Sequence, residues 1–267
     1  MSVSEKIVSV IENKRDLFID VSDKIWDYAE IRFKEFKSSE LLCSVLEDEG
    51  FKVTKGVGGI ETAFIASFRQ GTPIIAVLGE FDALSNLNQK SKIAKEEAVI
   101  KGANGHGCGH NALGSGSLAA VVAVKEYLKD SNIQGTIRYY GCPAEEGGSG
   151  KVYMAREKVF DDVDIALTWH PSSMTAVNNF TTLACIQSYF KFHRISSHAA
   201  LSPHLGRSAL DAVELMDIGV NYLREHIIPE ARIHYAITNT GGISPNVVQA
   251  NADVLHLTYI PLNEFQN

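Results

Sequence analysis

Apolar positions recur at helical spacing from the start of the chain. Ile7, Val8, Ile11, Leu17, Phe18, Val21, Ile25 and Trp26 predict an amphipathic helix. A second helix is expected over 38–49, stopped by Gly50. Two strand-like runs follow, at 62–68 and 73–84. The second opens as an unbroken apolar stretch, PIIAVLG, which suits a strand buried on both faces. Residues 85–105 are polar and lead into the glycine-rich GANGHGCGH, a long irregular stretch of the kind that carries function or moves. Beyond it an Ala-rich helix (111–129), a strand (135–142), a helix (149–159) and a strand (164–170) alternate, which predicts a mainly parallel α/β sheet.

Near residue 186 the pattern changes. SYFKFHRI alternates like a half-exposed strand, 206–227 reads as an amphipathic helix, and 232–238 and 252–260 read as strands. This β-α-β-β order predicts a small α+β, ferredoxin-like domain beside the larger one, without its second helix and last strand.

Composition narrows the class only a little. Hydrophobic residues at 45% and charged residues at 21% are ordinary for a globular protein. A net charge of −7 without a polybasic run argues against nucleic acid or an anionic membrane as the main partner. The N-terminus has no continuous apolar core of a signal peptide, and no window resembles a membrane span. Cys43, Cys108, Cys142 and Cys185 are far apart, which favours thiols or ligands over disulfides. A cytoplasmic location is expected.

The candidate chemistry sits at strand ends, where ligand sites of α/β sheets gather. GEFDAL closes one apolar strand with Glu80 and Asp82. GHGCGHN packs His106, Cys108 and His110 into five residues before a helix. PAEEGGSG places Glu145 and Glu146 after the strand ending at Cys142, and TWHP closes the next strand with His170. Thiolate, imidazole and carboxylate together suit a transition metal of zinc-like softness. An adjacent Glu pair is usually a solvated helix face, but this one lies between a strand end and glycines. One member of the pair can ligate while the other accepts the proton of a water activated by the metal, which predicts hydrolysis of an amide or similar carbonyl bond. A phosphate-cradling loop at GSGSLAA lacks either glycine signature. A nucleophilic Cys108 with a His partner would leave Glu145, Glu146 and His170 without a role.

With these residues in hand, GHGCGHNALG, YGCPAEEGGSGKVYMAR, DDVDIALTWHP, SSHAA, GRSALDAVELM and GGISPNVVQ resemble the aminoacylase and carboxypeptidase G type metallopeptidases, the M-twenty family. More narrowly they are similar to its branch containing the B subunit of aminobenzoyl-glutamate hydrolase. The resemblance implies a zinc-peptidase-like catalytic domain (1–185) and an inserted lid or dimerisation domain (186–260), with a divergent tail at 261–267. It implies two divalent metals, zinc with manganese or cobalt as alternatives. Cys108 would bridge them; His110 and His170 would ligate one and Glu146 the other. Glu145 would be the general base and Asp82 the acid that orients a ligand, while His198 and Asn246 would contact substrate. The implied substrate is an N-acyl amino acid or dipeptide-like amide, and the implied assembly is a homodimer through the small domain.

Set against that family, the chain is expected to be C-terminally truncated. It would lack a last metal-ligating histidine and several strands, so that both domains and one metal site are incomplete. An inactive fragment serving as a binding or dimerisation module is the alternative expectation.

Overall fold

The computed structural model describes residues 2–129, 131, 133–177 and 181–261. The chain separates into two compact units, Met1–Thr175 and Ala176–Asn267.

The first unit opens with α1 (Val3–Asn13) and α2 (Arg15–Tyr28), so the single helix read from the apolar spacing is two. The break falls at Lys14, which leaves helical geometry at φ −114°, ψ 15° while its ammonium reaches Glu49 Oε1 at 2.6 Å. Periodicity passes through such a break because the apolar stripe continues on the same side. Next come α3 (Phe36–Asp48), β1 (Lys52–Lys55), β2 (Phe64–Phe68) and β3 (Ile74–Gly79). After the long loop, α4 (His110–Lys129), β4 (Thr136–Gly141), the irregular turn α5 (Glu145–Gly148), α6 (Gly150–Arg156) and β5 (Ile165–Leu167) complete the unit.

The five strands lie in the order β1-β2-β4-β3-β5. β3 runs parallel to both β4 and β5, while β2 is antiparallel to β1 and β4. The sheet is therefore mixed, and parallel where the cluster described below is built. Successive side chains point to opposite faces of a strand, and β4 shows the result. Tyr139 joins a core with Phe64, Leu118 and Val122, together with Ile25 of α2 and Leu42 of α3. Its neighbour Tyr140 joins a second core with Ala76, Cys142 and Met154. Helices cover one face and α6 contributes to the other, the layering that buries a parallel sheet.

The parallel register brings three strand ends to one side. Gly79 of β3 pairs with Gly141 of β4, and Val77 pairs with Leu167 of β5. The segments that follow each strand leave the sheet together, and α4 starts at the same side with His110. β5 is three residues long, shorter than the strand expected over 164–170, and its backbone leaves the sheet before Trp169 and His170.

The second unit contains β6 (Ala184–His193), α7 (Ala209–Leu223), β7 (Arg232–Asn239) and β8 (Asn251–Ile260). β8 is central and antiparallel to both neighbours. This is the β-α-β-β arrangement of a split β-α-β sheet. Ala209 and Val213 of α7 pack on Ala252 and Val254 of β8. Beside them a buried Asp217 Oδ1 faces His256 Nε2 at 3.0 Å. The tail expected at 261–267 lies, after Pro261, outside the described residues. Among the described residues no helix is long and apolar enough to cross a membrane.

Candidate metal centre

Three strand-end segments and the start of α4 converge on His110. Its ring is fully buried. Nδ1 lies 3.0 Å from Asp82 Oδ1 and 3.1 Å from the Asp82 carbonyl oxygen. Both neighbours are acceptors, so Nδ1 carries a proton and donates. Nε2 points the other way. It has no hydrogen-bond partner although Glu80 Oε2 is 3.1 Å away; with the proton on Nδ1, Nε2 presents a lone pair. Glu145 Oε2 stands 3.8 Å from the same nitrogen. A buried nitrogen without a partner, facing acids, has the chemistry of a metal ligand.

Two further donors flank it. One ligand atom each from Cys108, His110 and His170 lies within 4.8 Å of the others, and so do those of Glu80, His110 and Glu145. Cys108 Sγ is 3.3 Å from His170 Nε2. His170 Nδ1 donates to the Pro171 carbonyl at 2.9 Å, which leaves Nε2 with its lone pair toward the thiol.

The electrostatics of the pocket are those of several acids crowded around one cation, Lys151. Burial pushes the Cys108 thiol up to about 12, and the carboxylates of Glu146, Glu145 and Glu80 add to the shift. Glu145 is raised above the usual carboxylate range by burial, then by Glu80 and Glu146. Burial alone would lower His110, yet Asp82, together with Glu80 and Glu146, raises it. A divalent cation would reverse this logic by stabilising thiolate and carboxylates together. The donor set therefore fits a metal of zinc-like softness.

The supports of the cluster come from neighbouring elements. Asp82 uses its second oxygen to accept the Glu146 backbone N–H at 2.8 Å, tying β3's end to the Glu145–Glu146 turn. Glu80 is ion-paired with Lys151 of α6. The WHP segment that carries His170 docks on α4 and on the loop before it. A Cβ on Gly116 would meet Trp169 Cζ2 at 2.5 Å, and one on Gly109 would meet Pro171 Cγ at 3.2 Å. Trp169 Nε1 also donates to Ser117 Oγ at 3.2 Å. His106, buried against Ile25 O at 2.9 Å, sits outside the cluster; burial holds it near 4 and thus neutral.

Cys108, His110, His170, Glu145, Glu146 and Asp82, singled out in the sequence, thus lie in one cluster. Glu80 stood in the GEFDAL motif without a role, and Lys151 in GGSGK gave no signal. His198 and Asn246 belong to the second unit. Ala199 N–H donates to Asn246 O at 2.9 Å, and an isolated bridge joins His198 to Val247. His198 Nδ1 accepts from the N–H groups of Ala200 and Leu201, each at 3.2 Å. Nε2 of this exposed ring is then the protonated nitrogen.

Thiol, imidazole and carboxylate donors gathered at the carboxyl ends of parallel strands define the class of this protein as an α/β scaffold with a candidate divalent-metal site. The chain belongs to Peptidase family M20/M25/M40, whose profile matches residues 76–257. It is 58% identical over 255 residues to the B subunit of p-aminobenzoyl-glutamate hydrolase from Escherichia coli (strain K12), covering 96% of this chain and 53% of that protein. The chain spans about half the length of the curated relatives it matches. Among solved structures, an aminobenzoyl-glutamate utilization protein from Klebsiella pneumoniae superposes with a TM-score of 0.64 at 19% identity, over 99% of this chain and 72% of that one. A dinuclear metal-binding peptidase of the M20 family from Bacillus subtilis gives a TM-score of 0.58 at 18% identity, over 96% and 67%.

Proposed function

We propose that this chain forms the metal-binding part of a hydrolase that cleaves the amide bond of N-acyl amino acids or dipeptide-like substrates of the aminobenzoyl-glutamate kind. The observation that carries the reading is His110 Nε2, buried and without a hydrogen-bond partner, with a thiol, a second imidazole and two carboxylates around it. Similarity to one component of a p-aminobenzoyl-glutamate hydrolase over nearly the whole chain supports the substrate class.

Cys108, His110, Glu146 and His170 would hold divalent ions, two in number by analogy with the dinuclear relative. When bound, such ions polarise the scissile carbonyl and make a nearby water more acidic. Glu145 is the base: its raised carboxyl sits on the exposed side of the cluster, where it can accept a proton and pass it to the leaving amine. Asp82 fixes the His110 tautomer. In the second unit, the Nε2–H of His198 and the side chain of Asn246 are the proposed contacts to substrate. That unit is read as part of a lid or homodimerisation domain, and the protein as cytoplasmic.

Glu145→Gln tests the assignment. With the metal content matched by plasma mass spectrometry, hydrolysis of p-aminobenzoyl-glutamate should fall about 10²–10⁴-fold, the usual contribution of a general base. A variant with the parent's turnover would remove Glu145 from that role.

A further inference from the structure

Glu35 is a fully buried carboxylate outside the metal-ligand cluster. It occupies the N-cap position of α3, yet its side chain makes no capping bond to that helix. Instead it turns inward. Oε1 accepts the backbone N–H of Phe33 at 3.0 Å and of Ala144 at 2.8 Å, and Oε2 accepts the hydroxyl of Thr62 at 3.2 Å.

The two amides have something in common. Phe33 and Ala144 are both left-handed, with φ of 59° and 58°. That conformation is costly for a residue with a Cβ and persists where surrounding contacts enforce it. Ala144 launches the turn that carries Glu145 and Glu146, and Gly147 and Ser149 in the same stretch also have positive φ. The loop holding Glu35 clasps this turn at further points. Arg32 Nη1 donates to Gly147 O at 3.4 Å, and a Cβ on Gly148 would meet the Phe33 ring at 2.9 Å. A buried carboxylate that accepts from both strained amides is a costly feature to maintain unless the backbone it holds matters. Burial, with Asp82 adding to it, pushes its carboxyl up to about 7.

We propose that Glu35 is a positioning residue, which pins the Ala144–Gly148 turn through the Ala144 N–H and thereby aims the Glu145 and Glu146 carboxylates at the cluster. The kinetic part of this proposal rests on the hydrolase reading above; the structural part does not.

Two variants of the full chain separate position from charge. Glu35→Asp keeps a carboxylate but withdraws it by one methylene, whereas Glu35→Gln keeps the length and an oxygen that can accept from both amides. With zinc bound and p-aminobenzoyl-glutamate as probe, Glu35→Asp should lose roughly 10²-fold in kcat with KM nearly unchanged, and Glu35→Gln should restore most of it. Hydrogen exchange in the peptide 143–150 should be faster in Glu35→Asp and parental in Glu35→Gln. Parental kcat or parental exchange in Glu35→Asp, or equal impairment in both variants, would overturn the proposal. If the parent chain releases no product, the hydrolase reading fails by itself and hydrogen exchange alone decides. Should Glu35→Asp not fold, Thr62→Val loosens the same carboxylate by removing one donor, and the same readouts apply to it.

Discussion

Asp82 works at both of its oxygens. One accepts a hydrogen bond from His110 Nδ1–H, and the other accepts one from the backbone N–H of Glu146. A single side chain thus sets the tautomer of one proposed ligand and the backbone of another. Asp82→Asn is nearly isosteric but offers an amide where a second acceptor is needed. Partners of this kind are worth about 10–100-fold in metal affinity, so zinc titration followed by calorimetry should show a loss of that size in a folded variant. An unchanged Kd would mean that Asp82 only closes the strand-end turn. Asp82, Cys108, His110 and His170 were legible in the sequence because chemically unusual residues crowd the ends of predicted strands. Glu35 was not, since its partners Thr62 and Ala144 are 27 and 109 residues away and no local spacing encodes them.

At the scale of elements, α4 and the WHP segment act as one piece. Trp169 lies in the notch left by Gly116, Pro171 in the one left by Gly109, and His170 sits between the two rings. Gly116→Ala adds a methyl where the indole already is. Overpacking of this kind costs about 1–3 kcal/mol, and the half-exposed indole should swing outward, taking His170 with it. A red-shifted Trp169 emission in a Trp26→Phe background, together with weaker zinc binding, is the expected pair of results. An unshifted spectrum with parental zinc affinity would show that the notch does not place His170. Strong apolar patterns made most elements readable: the strand read over 73–84 is found at 74–79, ending where its unbroken apolar run ends, and the Ala-rich helix read over 111–129 is found at 110–129. The helix break at Lys14 leaves the apolar stripe intact and so leaves no trace in it. β1 was missed because KVTK is four residues long and largely exposed. The small glycine notches became meaningful only when their occupants, more than fifty residues away, were seen in place.

For the whole molecule, the division into two units localises the effect of a metal. The candidate ligand cluster described above comes from the first unit, which is also where the crowded acids are. An ion present at about 1,000 times its Kd would stabilise that unit by about 4 kcal/mol, which for a unit of this size corresponds to roughly 8–16 °C in Tm. Scanning calorimetry with and without a chelator should move the transition of the first unit and leave that of the second in place. A chelator that shifts neither transition would argue against a resident ion.

The same division has a meaning in time as well as in space. A ribosome makes the chain from its N-terminus, and domains fold largely as units in that order, at about 5–20 residues per second. The four ligands proposed above all precede residue 171, so they are synthesised before the second unit begins at Ala176. Ion capture can therefore begin on the nascent chain, in the seconds before β7 and β8 exist. Ribosome-stalled chains carrying residues 1–175 on a spacer should already retain zinc through gel filtration. If they retain none, loading waits for the remainder of the chain.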